Sequence, residues 1–116
     1  MSDLTITVRP VARGCVLALS GELDFHTSPQ VHRALAETTP QLQPGQLLVM
    51  DLGALAFCDS SGLTTLIAAY NRTQAQQASL ALAEVSHNLA RILRLVGLDQ
   101  ILPTYDTVET ATAAQP

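Results

Sequence analysis

The sequence predicts an α/β fold in which a small mixed β-sheet is packed with about four helices. The sheet should consist of an opening antiparallel hairpin followed by a parallel βαβαβ unit. Two observations lead to this fold. A short glycine-containing link joins the first two strand-like segments, and from residue 47 onward short apolar runs alternate with amphipathic helical segments. With 116 residues, 47% of them hydrophobic, the chain has the size of one domain, expected to span residues 1–116.

The hairpin is predicted at residues 4–8 and 15–20. Apolar and polar side chains alternate in the first segment, which is the period of a strand with one solvent-facing side. The second segment follows closely after Gly14, so antiparallel pairing is the economical interpretation. A first helix is predicted to begin at a Thr27 cap, with Pro29 and Gln30 in its first turn, and to run to about Thr39.

The central strand is predicted at residues 47–52, because this run is apolar without alternation, as expected of a strand covered on both faces. Residues 80–85 are predicted to form another short apolar strand. The helix between these two strands carries apolar residues at i, i+3, i+4 and i+7, which is the stripe of an amphipathic helix: Leu63, Leu66, Ile67 and Tyr70.

The last third of the chain contains two further helices and one strand. Ser86 is predicted to cap a helix that ends at Gly97, with an apolar stripe of Leu89, Ile92, Leu93 and Val96. A last strand is predicted at residues 101–104. The run Asp106-Thr107-Val108-Glu109 is predicted to form a capping box that opens a short final helix, and residues 111–116 are expected to be a frayed tail.

Composition and charge exclude several classes of function. The net charge is −4 and the six basic residues are scattered, so nucleic acid is not an expected partner. The N-terminus lacks a signal sequence and no run approaches the ~18 apolar residues of a membrane span, so we expect a cytoplasmic protein with no membrane partner. Cys15 and Cys58 lack the spacing of a metal site, so no metal is predicted and both should be free thiols.

The segment from Phe57 to Leu63 lies between the central strand and the next helix. A serine at this place has free backbone N–H groups and the positive end of the helix dipole nearby, which makes Ser60 a candidate phosphate carrier. The alternative is that Asp59, Ser60 or Ser61 only caps the helix, and residue chemistry taken alone favours this alternative.

Two catalytic alternatives have weaker support. A serine hydrolase would need a G-x-S-x-G frame, which is absent, and the sequence does not place a base among the histidines, which are His26, His32 and His87. No glycine-rich phosphate loop is present, so we expect no ATP binding and no cofactor.

Three acidic residues are candidates for a cluster at the carboxyl ends of the strands, where open parallel sheets place their sites: Asp24, Asp51 and Asp59. Alternatively, Asp24 only forms a turn and Asp51 only ends a strand.

Several motifs together resemble the bacterial anti-sigma factor antagonists of the STAS domain family. They are Gly21-Glu22-Leu23-Asp24-x-His26-Thr27, the strand that ends in Asp51-Leu52, Phe57-x-Asp59-Ser60-Ser61-Gly62-Leu63, and Arg91-Ile92-Leu93-x-Leu95-x-Gly97-Leu98. The resemblance extends over essentially the whole chain, and the order and spacing of the motifs make it specific.

The resemblance implies that the protein is a non-enzymatic regulator of transcription. Its relatives include the partner-switching proteins of the bacterial stress response. The unphosphorylated form would bind an anti-sigma factor that is also a serine kinase, and so release a sigma factor. The kinase would phosphorylate Ser60 and abolish binding, and a metal-dependent serine phosphatase would restore it. The resemblance also implies a partner-binding site of Asp24, Asp59, Ser60, Ser61 and Gly62, with Ser61 the weaker candidate for the phosphosite.

Two other functions stay open at this point. One is a constitutive STAS adaptor or scaffold subunit without a phosphoswitch, in which Ser60 only caps the helix. The other is a small serine hydrolase with Ser60 as its nucleophile, which would need a positioned base.

Overall fold

The computed structural model describes residues 2–114 of the chain. In chain order the elements are β1 (Leu4–Val11), β2 (Gly14–Leu23), α1 (Ser28–Thr38), β3 (Leu47–Cys58), α2 (Ser60–Ala75), β4 (Ser79–Ala83), α3 (His87–Leu95), β5 (Thr104–Tyr105) and α4 (Val108–Ala113). Short 3-10 helices follow α1 and α3, at Thr39–Gln41 and Leu98–Gln100. The strands form one sheet in the order β1-β2-β3-β4-β5.

The predicted α/β fold is confirmed. β1 and β2 pair antiparallel in register from Leu4↔Gly21 to Val11↔Gly14, and β2, β3, β4 and β5 pair parallel. Gly14 has φ +153°, and a Cβ at this position would collide with the backbone of Leu47. This glycine therefore allows the hairpin turn to pass directly beside the start of β3.

The sheet is covered by helices on both faces, as the run at the start of β3 predicts. Leu48 and Met50 belong to the larger core cluster, under α1, α2 and α3. Leu47 and Val49 belong to a smaller cluster on the opposite face, which α4 closes with Val108 and Ala111. Because successive side chains of a strand point to opposite faces, a strand between two helical layers is apolar at every position.

α3 ends slightly earlier than its predicted apolar stripe. Ser86 caps the helix by accepting a hydrogen bond from the Leu89 N–H at 3.1 Å, as predicted. Gly97 has φ +80° and stops the helix. Val96, predicted as part of the buried stripe, is 57% exposed because the helix ends at Leu95.

The last strand was predicted at residues 101–104, but it begins later in the chain. The N–H groups of Ile101 and Leu102 both donate to the carbonyl of Leu98, so these two residues complete a helical turn instead of entering the sheet. The strand is Thr104–Tyr105.

The final helix also begins one residue later than predicted. Its cap is Thr107, whose hydroxyl accepts from the Thr110 N–H at 2.9 Å, in place of a capping box from Asp106 to Glu109. The expected tail is wrong at residues 111–113, because α4 continues to Ala113 and Ala111 is fully buried. Residues 115 and 116 of that tail lie outside the described residues.

In the part of the chain that the structure describes, no helix has the length and apolarity needed to cross a membrane.

Candidate functional site

β3 continues to Cys58, six residues past its predicted end at Leu52. β4 leaves it at the pair Asp51↔Ala83. β2 stays alongside from Ser20↔Ala54 to Leu23↔Cys58, with register shifts after Ala18 and Gly21. The extension carries the serine motif beyond the rest of the sheet, next to the end of β2.

The longer strand corrects the prediction for Asp51. This residue lies in the middle of β3, where its carboxylate accepts a hydrogen bond from the Gly53 N–H at 3.0 Å. It therefore belongs to no cluster at the strand ends. The structure does bring Asp24 and Asp59 together, since each directly follows one member of the pair Leu23↔Cys58. The Asp59 N–H donates to the Leu23 carbonyl at 3.2 Å and holds the two strand ends side by side.

Asp59 is the N-cap of α2. Its backbone is extended, and its carboxylate accepts a hydrogen bond from the Gly62 N–H at 3.1 Å. The first helical hydrogen bond runs from the Leu63 N–H to the Asp59 carbonyl at 3.0 Å. Among the three candidate caps, the structure thus assigns the role to Asp59, and Ser60 is the first residue of the helix.

Ser60 is exposed at the start of a 16-residue helix. Its carbonyl accepts from the Thr64 hydroxyl at 3.0 Å, and within residues 2–114 its own hydroxyl makes no hydrogen bond. Ser61 is half-buried, and its carbonyl accepts from the Thr65 hydroxyl at 2.9 Å. Ser60 is therefore the more accessible of the two hydroxyls, and it lies at the positive end of the helix dipole.

Gly62 is buried beneath the site. A Cβ at this position would lie 2.5 Å from the Cys58 sulfur and 3.1 Å from the Leu23 carbonyl oxygen. The place of Gly62 among the predicted partner-binding residues stays a prediction, and the structure gives it a packing role as well. It lets the first turn of α2 approach the ends of β2 and β3 closely.

Asp24 organises the loop between β2 and α1. Its carboxylate accepts from the N–H groups of His26 and Thr27, at 2.9 and 3.1 Å. The pKa of Asp24 is lowered, mainly because the Ser2 side chain hydrogen-bonds to the carboxylate, and the backbone N–H groups of Thr27 and His26 add to the effect. Asp24 therefore carries its negative charge at neutral pH.

Thr27 precedes α1, as predicted, but its side chain does not cap the helix. Its hydroxyl accepts from the Asp24 N–H at 3.0 Å and donates to the Glu22 carbonyl at 2.7 Å. The backbone of Thr27 is already helical, with φ −99° and ψ −18°, whereas a capping residue is normally extended. The threonine closes the Asp24 loop instead.

The hydrolase alternative requires a base positioned beside Ser60. Within the described residues no histidine hydrogen-bonds to this serine. His32 lies 3.5 Å from the Thr65 hydroxyl, and His26 packs edge-on against Phe25. Burial, together with the charge of Asp59, raises the pKa of the Cys58 thiol to about 11, so this thiol stays protonated at neutral pH. Among residues 2–114, there is no cluster of three or more His, Cys, Asp or Glu side chains that could hold a metal ion.

Sequence reasoning did not single out the exposure of the two phenylalanines. Phe25 is 73% exposed in the Asp24 loop, and Phe57 is 52% exposed near the end of β3. Phe57 also borders a groove of about 410 Å³ between the β3 extension and α3. The signal in the sequence was weak: Phe25 stands between an aspartate and a histidine in a turn, where an aromatic ring has no strand or helix face to bury it.

Comparison with known proteins gives a consistent result. Residues 4–111 match the family model described as the STAS domain. The chain is 35% identical over 91 residues to the "Anti-sigma F factor antagonist" of Paenibacillus polymyxa, covering 78% of this chain and 77% of that protein. It is 32% identical over 84 residues to the "Anti-sigma-B factor antagonist" of Listeria monocytogenes, covering 72% of each chain.

Solved structures agree on the fold. An anti-sigma factor antagonist from Mycobacterium paratuberculosis superimposes with a TM-score of 0.82 at 29% identity, covering 97% of this chain and 94% of that chain. The Bacillus cell fate determinant SpoIIAA in its phosphorylated form has a TM-score of 0.72 at 22% identity, over 94% of this chain and 97% of that one. The second likeness concerns the fold alone.

Proposed function

The chain belongs to the STAS domain family, and from this membership we propose that it is an anti-sigma factor antagonist controlled by phosphorylation of Ser60. The unphosphorylated form binds an anti-sigma factor that is also a serine kinase, and this binding releases a sigma factor. The shared name of the relatives supports the antagonist role. The observation that carries the phosphoswitch is the exposed Ser60 hydroxyl at the start of α2, beside a cap that Asp59 provides.

Phosphorylation at Ser60 is compatible with the folded domain. A phosphate adds about −1.5 to −2 charges. At the first residue of a helix this charge meets the positive end of the helix dipole and backbone N–H groups that have no partner within the helix. Because Asp59 already holds the first turn through Gly62, the added group need not disturb the helix start.

The same phosphate opposes binding of the partner. Asp24 and Asp59 follow adjacent strand ends, and Asp59 directly precedes Ser60. A partner surface that fits a neutral hydroxyl close to these carboxylates would meet a bulky dianion after phosphorylation. Like-charge repulsion and the cost of desolvating the phosphate then prevent docking without a change in the fold.

The partner enzymes catalyse both chemical steps of the switch. The kinase supplies ATP and magnesium and transfers the phosphoryl group to the serine oxygen, with loss of the hydroxyl proton. A serine phosphatase hydrolyses the phosphate ester and restores the hydroxyl. This chain contributes the hydroxyl and its position, so we expect it to need no cofactor. We expect it to act in the cytoplasm, where sigma factors work.

The alternative of a constitutive STAS adaptor gave Ser60 the role of a helix cap. Asp59 fills that role, so the hydroxyl of Ser60 has no structural task within the described residues. This observation favours the switch over the adaptor.

The test compares Ser60→Ala and Ser60→Asp with Ser61→Ala as the matched control. Each protein is incubated with the anti-sigma factor kinases of the source bacterium, ATP and magnesium, and phosphate is located by mass spectrometry. We expect phosphate on Ser60 of the wild type and of the Ser61→Ala variant. Ser60→Ala should bind the kinase like the unphosphorylated wild type and stay unmodified, whereas Ser60→Asp should bind at least tenfold more weakly. Equal binding by both Ser60 variants would contradict the switch.

A further inference from the structure

Both phenylalanines of the chain are surface residues. Phe25 is 73% exposed and Phe57 is 52% exposed, and neither belongs to the two hydrophobic clusters of the core. The chain has only two phenylalanines, two tyrosines and no tryptophan. Its large apolar rings are thus scarce, and the fold does not use the phenylalanines for its core. Exposed aromatic rings of this kind are typical of binding surfaces, where they supply most of the affinity.

The two rings come from the same end of the sheet as Ser60. Phe57 is the residue before Cys58 at the end of β3, and Phe25 follows the end of β2 by two positions. The strand ends are adjacent through the pairs Glu22↔Phe57 and Leu23↔Cys58. Both rings therefore belong to the two adjacent strand ends that also carry Asp24, Asp59 and Ser60.

Phe25 stands in a loop that is already ordered. The Asp24 carboxylate accepts two backbone hydrogen bonds across the loop, and Thr27 closes it with two more. The ring itself packs edge-on against His26, with 5.8 Å between the ring centroids. Because the loop is fixed before any partner arrives, docking this ring would cost little conformational entropy.

The charges around the rings indicate the chemistry of the partner. Glu22, Asp24 and Asp59 lie beside the two phenylalanines, and Glu84 lies next to Gly53 on the β3 extension. A protein surface that covers these rings must also face the carboxylates. The complementary surface has apolar pockets for the rings and arginine or lysine side chains around them.

We propose that Phe25 and Phe57 are the apolar anchors through which this chain docks onto the basic surface of its anti-sigma factor. The inference rests on the proposed function, because the occupant is the partner that also acts on Ser60. The carboxylates attract the partner at long range, and the two rings then hold it. Removing a ring should therefore speed dissociation, whereas removing the attraction between charges, by added salt, should slow association.

The chain offers a matched control for the two rings. Leu95 is 72% exposed and Val96 is 57% exposed at the end of α3. α3 follows the carboxyl end of β4 and leads to β5, which is parallel to β4. The helix must therefore run back along the sheet, and its last turn lies toward the end opposite to Ser60. Truncating these two residues removes a similar kind of exposed apolar surface outside the proposed docking surface.

The experiment uses the full chain and the purified anti-sigma factors of the source bacterium, with binding rates measured by surface plasmon resonance. The variants are Phe25→Ala, Phe57→Ala, Leu95→Ala and Val96→Ala, and thermal unfolding verifies that each is folded. We expect each phenylalanine variant to bind about 30-fold more weakly, mainly through faster dissociation. Binding by the two control variants should stay within twofold of wild type.

Phe25→Leu and Phe57→Leu provide a second comparison, because they keep an apolar side chain and should recover part of the affinity. If the wild type binds, and Phe25→Ala and Phe57→Ala bind with the same affinity as the wild type, the anchor proposal alone is overturned. An equal loss in the Leu95 and Val96 variants would overturn it as well. Failure of the wild type to bind any of the anti-sigma factors would overturn the proposed function, and the anchors with it.

Discussion

At the residue scale, Asp59 combines two roles that a single substitution can separate. Its carboxylate caps α2 through the Gly62 N–H, and its charge lies beside Ser60. Asparagine caps a helix about as well as aspartate does, but it carries no charge. The pair Asp59→Ala and Asp59→Asn therefore distinguishes the structural role from the electrostatic one.

We expect Asp59→Ala to lower the free energy of unfolding by about 1 kcal/mol, because the helix loses its cap. Asp59→Asn should stay within about 0.5 kcal/mol of wild type, since the cap is kept. Urea denaturation followed by circular dichroism measures both values. Equal destabilisation by the two substitutions would show that the charge of Asp59, and not its hydrogen bond, stabilises the helix start.

Residue chemistry made Ser60 a candidate phosphate carrier, and the family resemblance added Asp24 and Asp59 as candidate partner-binding residues. The sequence singled out Asp24, Asp59 and Ser60, and the structure places them at two adjacent strand ends. The sequence could not show which residue caps α2, because aspartate and serine are both good caps and only the backbone geometry distinguishes them. The exposure of Phe25 and Phe57 could not be predicted from the sequence either, since burial of an aromatic ring depends on elements that are distant in sequence.

At the element scale, the length of β3 decides where the site lies. Residues 53–57 include a glycine and two alanines, and most are exposed, so they lack the apolar run that predicted the first half of the strand. They are extended because β2 pairs with them. Such tertiary pairing overrides local propensity, and for this reason the predicted end at residue 52, and with it the place of Asp51, was wrong.

The junction of β3 and α2 depends on Gly62. We expect Gly62→Ala to lower the free energy of unfolding by about 1–3 kcal/mol, because the added methyl group has no space between Cys58 and Leu23. Ser61→Ala, at the neighbouring half-buried position, is the matched control and should change stability by less than about 0.5 kcal/mol. Chemical denaturation of the two variants tests this, and a stable Gly62→Ala protein would contradict the tight packing.

At the scale of the whole molecule, the sheet and its helices form a packed interior from which the site extends. α1, α2 and α3 share one core with the larger face of the sheet, and α4 closes the other face. Ser60 lies at the edge of this structure and outside both cores. A modification at this position changes the surface charge of the molecule and leaves its interior intact.

We therefore expect phosphorylation of Ser60 to leave the fold unchanged. Circular dichroism spectra of the phosphorylated and unphosphorylated proteins should superimpose, and their melting temperatures should agree within about 4 °C, because a single surface contribution rarely exceeds about 1 kcal/mol. Purified kinase provides the phosphorylated sample, and the Ser60→Ala protein treated in the same way is the control. A large drop in melting temperature would mean that the switch acts by unfolding α2, and not by repulsion at the surface.

The β3 extension also has a consequence for local fluctuations. Past Asp51 this strand has a neighbour on one side only, and segments with few partners open more readily than the centre of a sheet. Amide hydrogens there should exchange with solvent earlier than those of residues 47–51. A bound partner would retard that exchange, so docking would protect a segment that opens readily when the protein is alone.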